Sequence, residues 1–254
     1  MQIPTLEGGI PYLNTAQMIE VDRAMTEDYR IELIQMMENA GRCLAFLARE
    51  RFLGGAPTGK RVTVMAGGGG NGGGALVAAR RLHNWGAKTQ VLLARDAAQM
   101  TTVAGHQLEI LKRMGVDCVA ETGLLSPGDV PDVIIDGLIG YSLKGAPYGR
   151  IREFIEWSNA SSAPILALDT PSGIDTSTGT VFDPSIEASA TMTLALPKEG
   201  LRAPGVDTHV GELYLADISV PPALYNESPL GLEVGPIFAT ADVIRLPPGM
   251  HTVR

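Results

Sequence analysis

Four apolar runs in this chain end on residues that can do chemistry. The run at 61–65 leads into the glycine tract 67–74 around Asn71; the run at 133–135 ends on Asp136, followed by GLIGYSLKG; the run at 165–168 ends on Asp169, followed by TPSGID with Ser172; and the run at 190–196 ends on Pro197 and Lys198. Polar groups set directly after apolar strands converge at one edge of a parallel sheet, where such sheets bind ligands. A glycine turn between a strand and a helix lets backbone N–H groups approach a ligand, and the helix N-terminus adds partial positive charge. The expected ligand is a nucleotide or another phosphorylated molecule.

Each of these residues also has a plainer reading. The tract does not fit GxGxxG, has no acidic residue at the dinucleotide spacing unless Asp96 serves, and lacks the Gly-Lys-Ser/Thr ending of a phosphate loop. It is either a ligand turn or one that only permits tight strand-to-helix packing. Asp136 is a site carboxylate or a cap for the turn at Gly137, with Ser142 and Lys144 in the next loop favouring the site. Asp169 is a site residue or an Asx turn before Pro171, and Lys198 is an exposed lysine or a cation for phosphate. Ser172 lacks a GxSxG elbow. His83, His106, His209 and His251 show no metal-ligand spacing and read as structural or exposed. Carboxylates with hydroxyl and backbone oxygens, without imidazole or thiolate, suit a hard cation such as K⁺ or Mg²⁺ better than zinc.

The elements that must position these groups follow from periodicity. Residues 14–52 predict two helices, the first capped by Asn14 or Thr15 with Met18, Ile19, Val21 and Met25 as its apolar stripe. The second carries Leu33, Ile34, Met37, Ala40, Leu44, Leu47 and Ala48, with Met36 and Met37 read as core or a subunit contact rather than a cofactor box. A helix is expected over 75–82, a strand at 89–93, a helix at 103–114, and strands at 116–120, 133–136, 165–169, 190–196 and 213–215, with a helix at 151–158. Alternating strands and helices imply an α/β fold with a largely parallel sheet covered on both faces. One domain spans 1–254, with a helical segment over 1–55 and a weakly patterned tail over 232–254 extended on the surface.

Composition narrows the partners. The 254 residues are 45% hydrophobic and carry a formal net charge of −8, which disfavours nucleic acid or an anionic membrane as partner. Cys43 and Cys118 read as small buried residues in a reducing compartment. The N-terminus has no secretory pattern and no run is long enough to span a membrane, so a cytoplasmic location is expected.

Taken together, these motifs resemble the NAD(P)H-hydrate epimerases, the YjeF N-terminal domain family. Its Met-Glu-x-Ala-Gly motif stands here as Met37-Glu38-Asn39-Ala40-Gly41. Its glycine loop GPGNNGGDGLVAAR is matched by GGGGNGGGALVAAR at 67–80, its VDAIFGFSFKG by 135–145, its SIDIPSG by 167–173, and its Ala-Pro-Lys by Leu196-Pro197-Lys198. The chain departs from the pattern at Gly70 and Gly74, which replace an Asn and an Asp, and at Tyr148, which replaces an arginine.

The resemblance implies a Rossmann-like three-layer αβα sandwich, a homodimer, and interconversion of the R and S forms of hydrated NADH and NADPH, so that a dehydratase, here on another chain, can repair them. It implies one K⁺ per subunit on Asn71, Asp136 and Ser172 with backbone oxygens. The dinucleotide would contact Gly70, Asn71, Gly72, Gly73 and Gly74; Gly140, Tyr141, Ser142, Leu143, Lys144, Gly145 and Ala146; and Asp169 and Lys198. Asp136 and Asp169 are the candidate proton shuttles. The departures leave two alternatives, an isomerase for another nucleotide or small metabolite and a non-catalytic nucleotide-binding or scaffold protein.

Overall fold

A computed structural model describes residues 3–120 and 130–247. Two helices come first, α1 (Thr15–Glu27) and α2 (Leu33–Arg51), then β1 (Arg61–Ala66), α3 (Gly70–Asn84), β2 (Lys88–Leu93), α4 (Thr102–Arg113), β3 (Asp117–Val119) and β4 (Val133–Gly137). The chain continues through α5 (Arg150–Ala160), β5 (Ile165–Leu168), β6 (Ala190–Leu194), α6 (Asp207–Val210), β7 (Glu212–Ala216), α7 (Pro222–Asn226) and β8 (Val243–Arg245). The strands form one sheet in the order β3-β2-β1-β4-β5-β6-β7-β8, parallel throughout except for the β7–β8 pair.

Three layers result because the central strands are buried on both faces. Val62, Val64, Ile135 and Leu166 pack with Leu44 of α2, Leu76 of α3 and Leu108 of α4. Met65, Ile134 and Ala167 point the other way, against Phe154 and Ile155 of α5. A further cluster joins α1 and α7 to the β7–β8 end through Met18, Val21, Leu224, Leu215 and Ile244.

Helix α1 begins at a reciprocal cap. The Asn14 side chain accepts from the Gln17 amide at 2.9 Å, and the Gln17 side chain accepts from the Asn14 amide at 2.9 Å, worth about 1 kcal/mol. Met18, Val21 and Met25 are buried as expected, whereas Ile19 is exposed, and Leu33 and Ile34 at the start of α2 are partly exposed too. Further along, α2 lies close on α3 because Gly41 has no side chain. A Cβ there would sit 2.4 Å from Val77 Cβ and 2.5 Å from the Gly74 carbonyl oxygen. The same motif supplies Glu38, which accepts from Arg80 of α3 at 2.6 Å and from Gln107 of α4 at 3.2 Å, tying three helices together.

Two expectations need correction. Helix α3 begins at Gly70 rather than at 75, so half of the glycine tract is helical. Packing overrides glycine's poor helix propensity: a Cβ on Gly72 would lie 1.9 Å from the Gly67 carbonyl oxygen, and one on Gly73 would lie 2.6 Å from Met37 Sδ. The tail beyond 231 also contributes a strand. Three-residue β8 is too short to show alternation, yet Arg245 holds it beside the N-terminal segment, accepting from the Leu6 amide at 2.8 Å and donating to the Pro4 carbonyl at 2.8 Å. His251 and the end of the tail lie outside the described residues.

Candidate active site

From β1 the chain winds outward to β2 and β3, then returns to place β4 on the other side of β1. That reversal opens a crevice beyond the carboxyl ends of β1 and β4, the place where open α/β sheets bind ligands. A cavity of about 270 Å³ lies there. Gly70, Asn71 and Gly74 after β1, Gly140, Tyr141 and Ser142 after β4, and Leu168 and Asp169 at the end of β5 line it, under a roof of Met18 and Asp22 from α1 and Met36 and Met37 from α2.

Asp169 holds a left-handed backbone, φ 68°, a conformation that Asp tolerates better than most residues and that recurs at functional sites. Its carboxylate accepts from the Lys198 ammonium. Lys198 is fully buried and also donates to Thr193 Oγ1 at 3.2 Å and to the Leu194 carbonyl at 2.8 Å. With its three N–H donors engaged, Lys198 is neither an exposed lysine nor a phosphate ligand. It is the ion-pair partner of the nearly buried Asp169 carboxylate. The second Asp169 oxygen lies against Gly140, where a Cβ would come within 3.2 Å of it and within 3.4 Å of Asn71 Oδ1. No larger residue could stand at 140 without moving both.

Asp136 is fully buried and does not line the cavity. One oxygen accepts from Ser172 Oγ at 2.7 Å and from the Leu138 amide at 3.1 Å, the other from the Ser172 amide at 2.8 Å. It is therefore a turn cap and a partner of Ser172 at once, and the shuttle role expected of it is corrected, because neither oxygen reaches the ligand space. Burial pushes its carboxyl up to about 6, against the pull of the three hydrogen bonds.

These groups fit a hard cation. Asp136 has no cationic side chain among its partners, and Asn71 Oδ1, the amide atom that can ligate a cation, lies beside Gly140 at the start of the loop after β4. Amide oxygen, carboxylate, hydroxyl and carbonyl make an all-oxygen set of low charge, which suits K⁺. Ser172 Oγ, also buried, donates to Asp136 and receives the Ile139 amide at 2.9 Å, so the set is already held in place.

The remaining expected contacts divide. Gly70 stands open to the cavity, while Gly72 and Gly73 are glycines for packing and do not line it. In the loop after β4, Leu143, Lys144, Gly145 and Ala146 do not line it either, and Lys144 and Ala146 are exposed. Met36 and Met37 are core, as expected, but core that forms the cavity roof. Of the histidines, His106 is exposed and His209 Nδ1 meets Ser185 Oγ at 2.9 Å in a structural bond. Cys43 is buried and Cys118 partly so, and both are free thiols.

Sequence reasoning missed Asp22. It falls four residues after Met18 and three before Met25, on the buried face of α1, so a lone carboxylate inside an apolar stripe was the available signal. Tyr141 donates to Asp22 Oδ2 at 2.5 Å. Burial raises the Asp22 carboxyl, the Tyr141 bond and Lys198 oppose the rise, and Asp169 adds to it. Helix α1 is pinned over the sheet edge by Leu13, which donates to the Pro197 carbonyl at 2.8 Å and accepts from the Glu199 amide at 2.9 Å.

Known proteins place the chain. Residues 33–200 match the family model described as YjeF-related protein N-terminus. An NAD(P)H-hydrate epimerase of Dehalogenimonas lykanthroporepellens is 42% identical over 235 residues, 91% of this chain and 91% of that protein. Its counterpart in Rhodopirellula baltica is 32% identical, over 89% of this chain and 91% of the relative. A bifunctional NAD(P)H-hydrate repair enzyme of Moorella thermoacetica is 36% identical over 84% of this chain but only 41% of its own length, so the chain spans about two-fifths of that relative. The crystal structure of yeast ynu0 shares the fold, with a TM-score of 0.77 at 24% identity, over 93% of this chain and 100% of that one. The glycine loop, the strand-end carboxylates and these relatives agree, and the chain belongs to the NAD(P)H-hydrate epimerase family, that of the YjeF-related protein N-terminus.

Proposed function

We propose that this chain is an isomerase that interconverts the R and S forms of hydrated NADH and NADPH, acting as a K⁺-dependent homodimer in the cytoplasm. The observation that carries this reading is Asp169, held by buried Lys198 at the wall of a cavity at the sheet's switch point. Hydration of the dihydronicotinamide enamine leaves a hydroxyl on a ring carbon bonded to nitrogen. Inverting that carbon requires the C–O bond to break and re-form from the opposite face, with a proton delivered and a proton removed. Asp169 would exchange one of them.

Asn71, Asp136 and Ser172 would hold K⁺. When bound, it would supply the positive charge that buried Asp136 lacks and so fix the 137–140 turn that walls the cavity. The first-turn amides of α3, at the open glycines 69 and 70, suit a phosphate of the dinucleotide. Exposed Ile19, Leu33 and Ile34 offer apolar surface for a second subunit. No helix among the described residues is long and apolar enough to cross a membrane. An NAD(P)HX dehydratase is the pathway partner.

The test is an epimerisation assay on the purified R form, with and without K⁺, using a dehydratase specific for the S form as the coupling enzyme. Conversion that accelerates with K⁺ is expected. A folded protein that leaves the R form unconverted would reject the reading.

A further inference from the structure

Neither the potassium set nor the Asp169–Lys198 pair uses Asp22, yet it is one of three titratable residues lining the cavity, with Tyr141 and Asp169. The three come from different elements: α1, the loop after β4, and the end of β5. A ring held in so small a space exposes its two faces to different walls, and one carboxylate cannot serve both.

We propose that Asp22, held by the Tyr141 hydroxyl, is a second catalytic residue that exchanges protons on the ring face opposite Asp169. The inference rests on the epimerase reading. In one direction the Asp22 carboxyl gives its proton to the departing hydroxyl, the C–O bond breaks, and the ring nitrogen's lone pair forms a C=N bond as water leaves. Water then adds to the same carbon from the other face, the C=N electrons return to nitrogen, and the Asp169 carboxylate takes the proton. One water leaves and one enters, the proton taken by Asp169 returns to Asp22 through water before the next turnover, and the reverse reaction exchanges the two roles.

The local chemistry supports the division. Asp169 has an ammonium partner and Asp22 has none; its partner is a neutral phenol. The groups that face Asp22 are Tyr141, Asp169, Lys198 and, from α7, Tyr225, and burial with the nearby Asp169 favours its protonated form. Two carboxyl groups in one site with opposed environments divide acid from base. Asp22 Oδ1 makes no hydrogen bond within the described residues that would hold it from a ligand.

The experiment compares the wild type, Asp22→Asn and Tyr141→Phe in the R-form assay, following kcat and KM across pH. Asn keeps the size of the side chain and still accepts from Tyr141. Its kcat should fall about 100-fold or more, with KM changed less than threefold and the alkaline limb of the kcat/KM profile gone. Tyr141→Phe removes a bond that favours the Asp22 carboxylate, so that limb should move to higher pH. An active wild type whose Asp22→Asn variant stays within threefold in kcat overturns this inference and leaves the epimerase reading intact, as does an unmoved limb in Tyr141→Phe. An inactive wild type overturns both.

Discussion

The Lys198 ammonium and the Asp169 carboxylate meet in the interior, one at the end of β6 and the other at the end of β5. The lysine is fully buried and the aspartate nearly so. Two charges in that setting persist only because each compensates the other and hydrogen bonds complete the lysine. The pair thereby sets a charged oxygen beside Gly140 and Asn71 without spending the lysine on the ligand.

Lys198→Met should cost about 3–5 kcal/mol, because it leaves a buried carboxylate unpaired, and it should abolish turnover. Urea denaturation checks the first part. A loss below about 1 kcal/mol would mean that water reaches Asp169 and that the pair is not a buried one.

Asp136 makes stability depend on pH and K⁺. Its folded carboxyl, near 6, binds a proton more tightly than the ordinary value of 3.8. Its contribution is therefore complete below about pH 4 and is lost as pH rises through about 6. Without K⁺, the wild type should lose on the order of 3 kcal/mol across that window, and Asp136→Asn should not. At pH 7.5, K⁺ should raise the wild-type Tm and leave that of the variant unchanged; equal K⁺ responses would remove Asp136 from the cation site. The variant should also lose its activity and its K⁺ dependence.

Gly72 and Gly69 make a matched pair. A Cβ at 72 would meet backbone at 1.9 Å, whereas nothing lies within 4 Å at 69. Gly72→Ala should cost more than about 3 kcal/mol, since no flexible side chain can yield there, and Gly69→Ala less than about 0.5 kcal/mol. Thermal melts of both decide whether the tract is shaped by packing at one position and left open for ligand at the other.

Gly74→Asp would restore the family carboxylate. Its Cβ would come 3.1 Å from Leu168 Cδ2 and 3.6 Å from Ala40 Cβ, a crowding worth about 1 kcal/mol. The variant should fold, and its kcat should stay within about fivefold of wild type, less than one general acid or base contributes. A rise beyond that range would show that the missing Asp limits this chain.

The parallel sheet was legible in the sequence because strands buried on both faces are written as unbroken apolar runs, and the residues that end those runs must gather at one edge. Asn71, Asp136, Asp169, Ser172 and Lys198 were found that way. Periodicity also located the helices, since a buried stripe repeats within a few residues. Tertiary structure decided what those residues do. Asp136 lies behind the cavity and Lys198 is held by Asp169, because burial and charge pairing depend on neighbours from other strands. The glycine tract is half helix because Gly67 and Met37 occupy the space of the missing side chains. Asp22 meets Tyr141 across 119 residues of sequence, brought there by the Leu13 bridge that sets α1 over the sheet edge. Local pattern records which face of an element is buried, and only packing determines which polar groups share that burial.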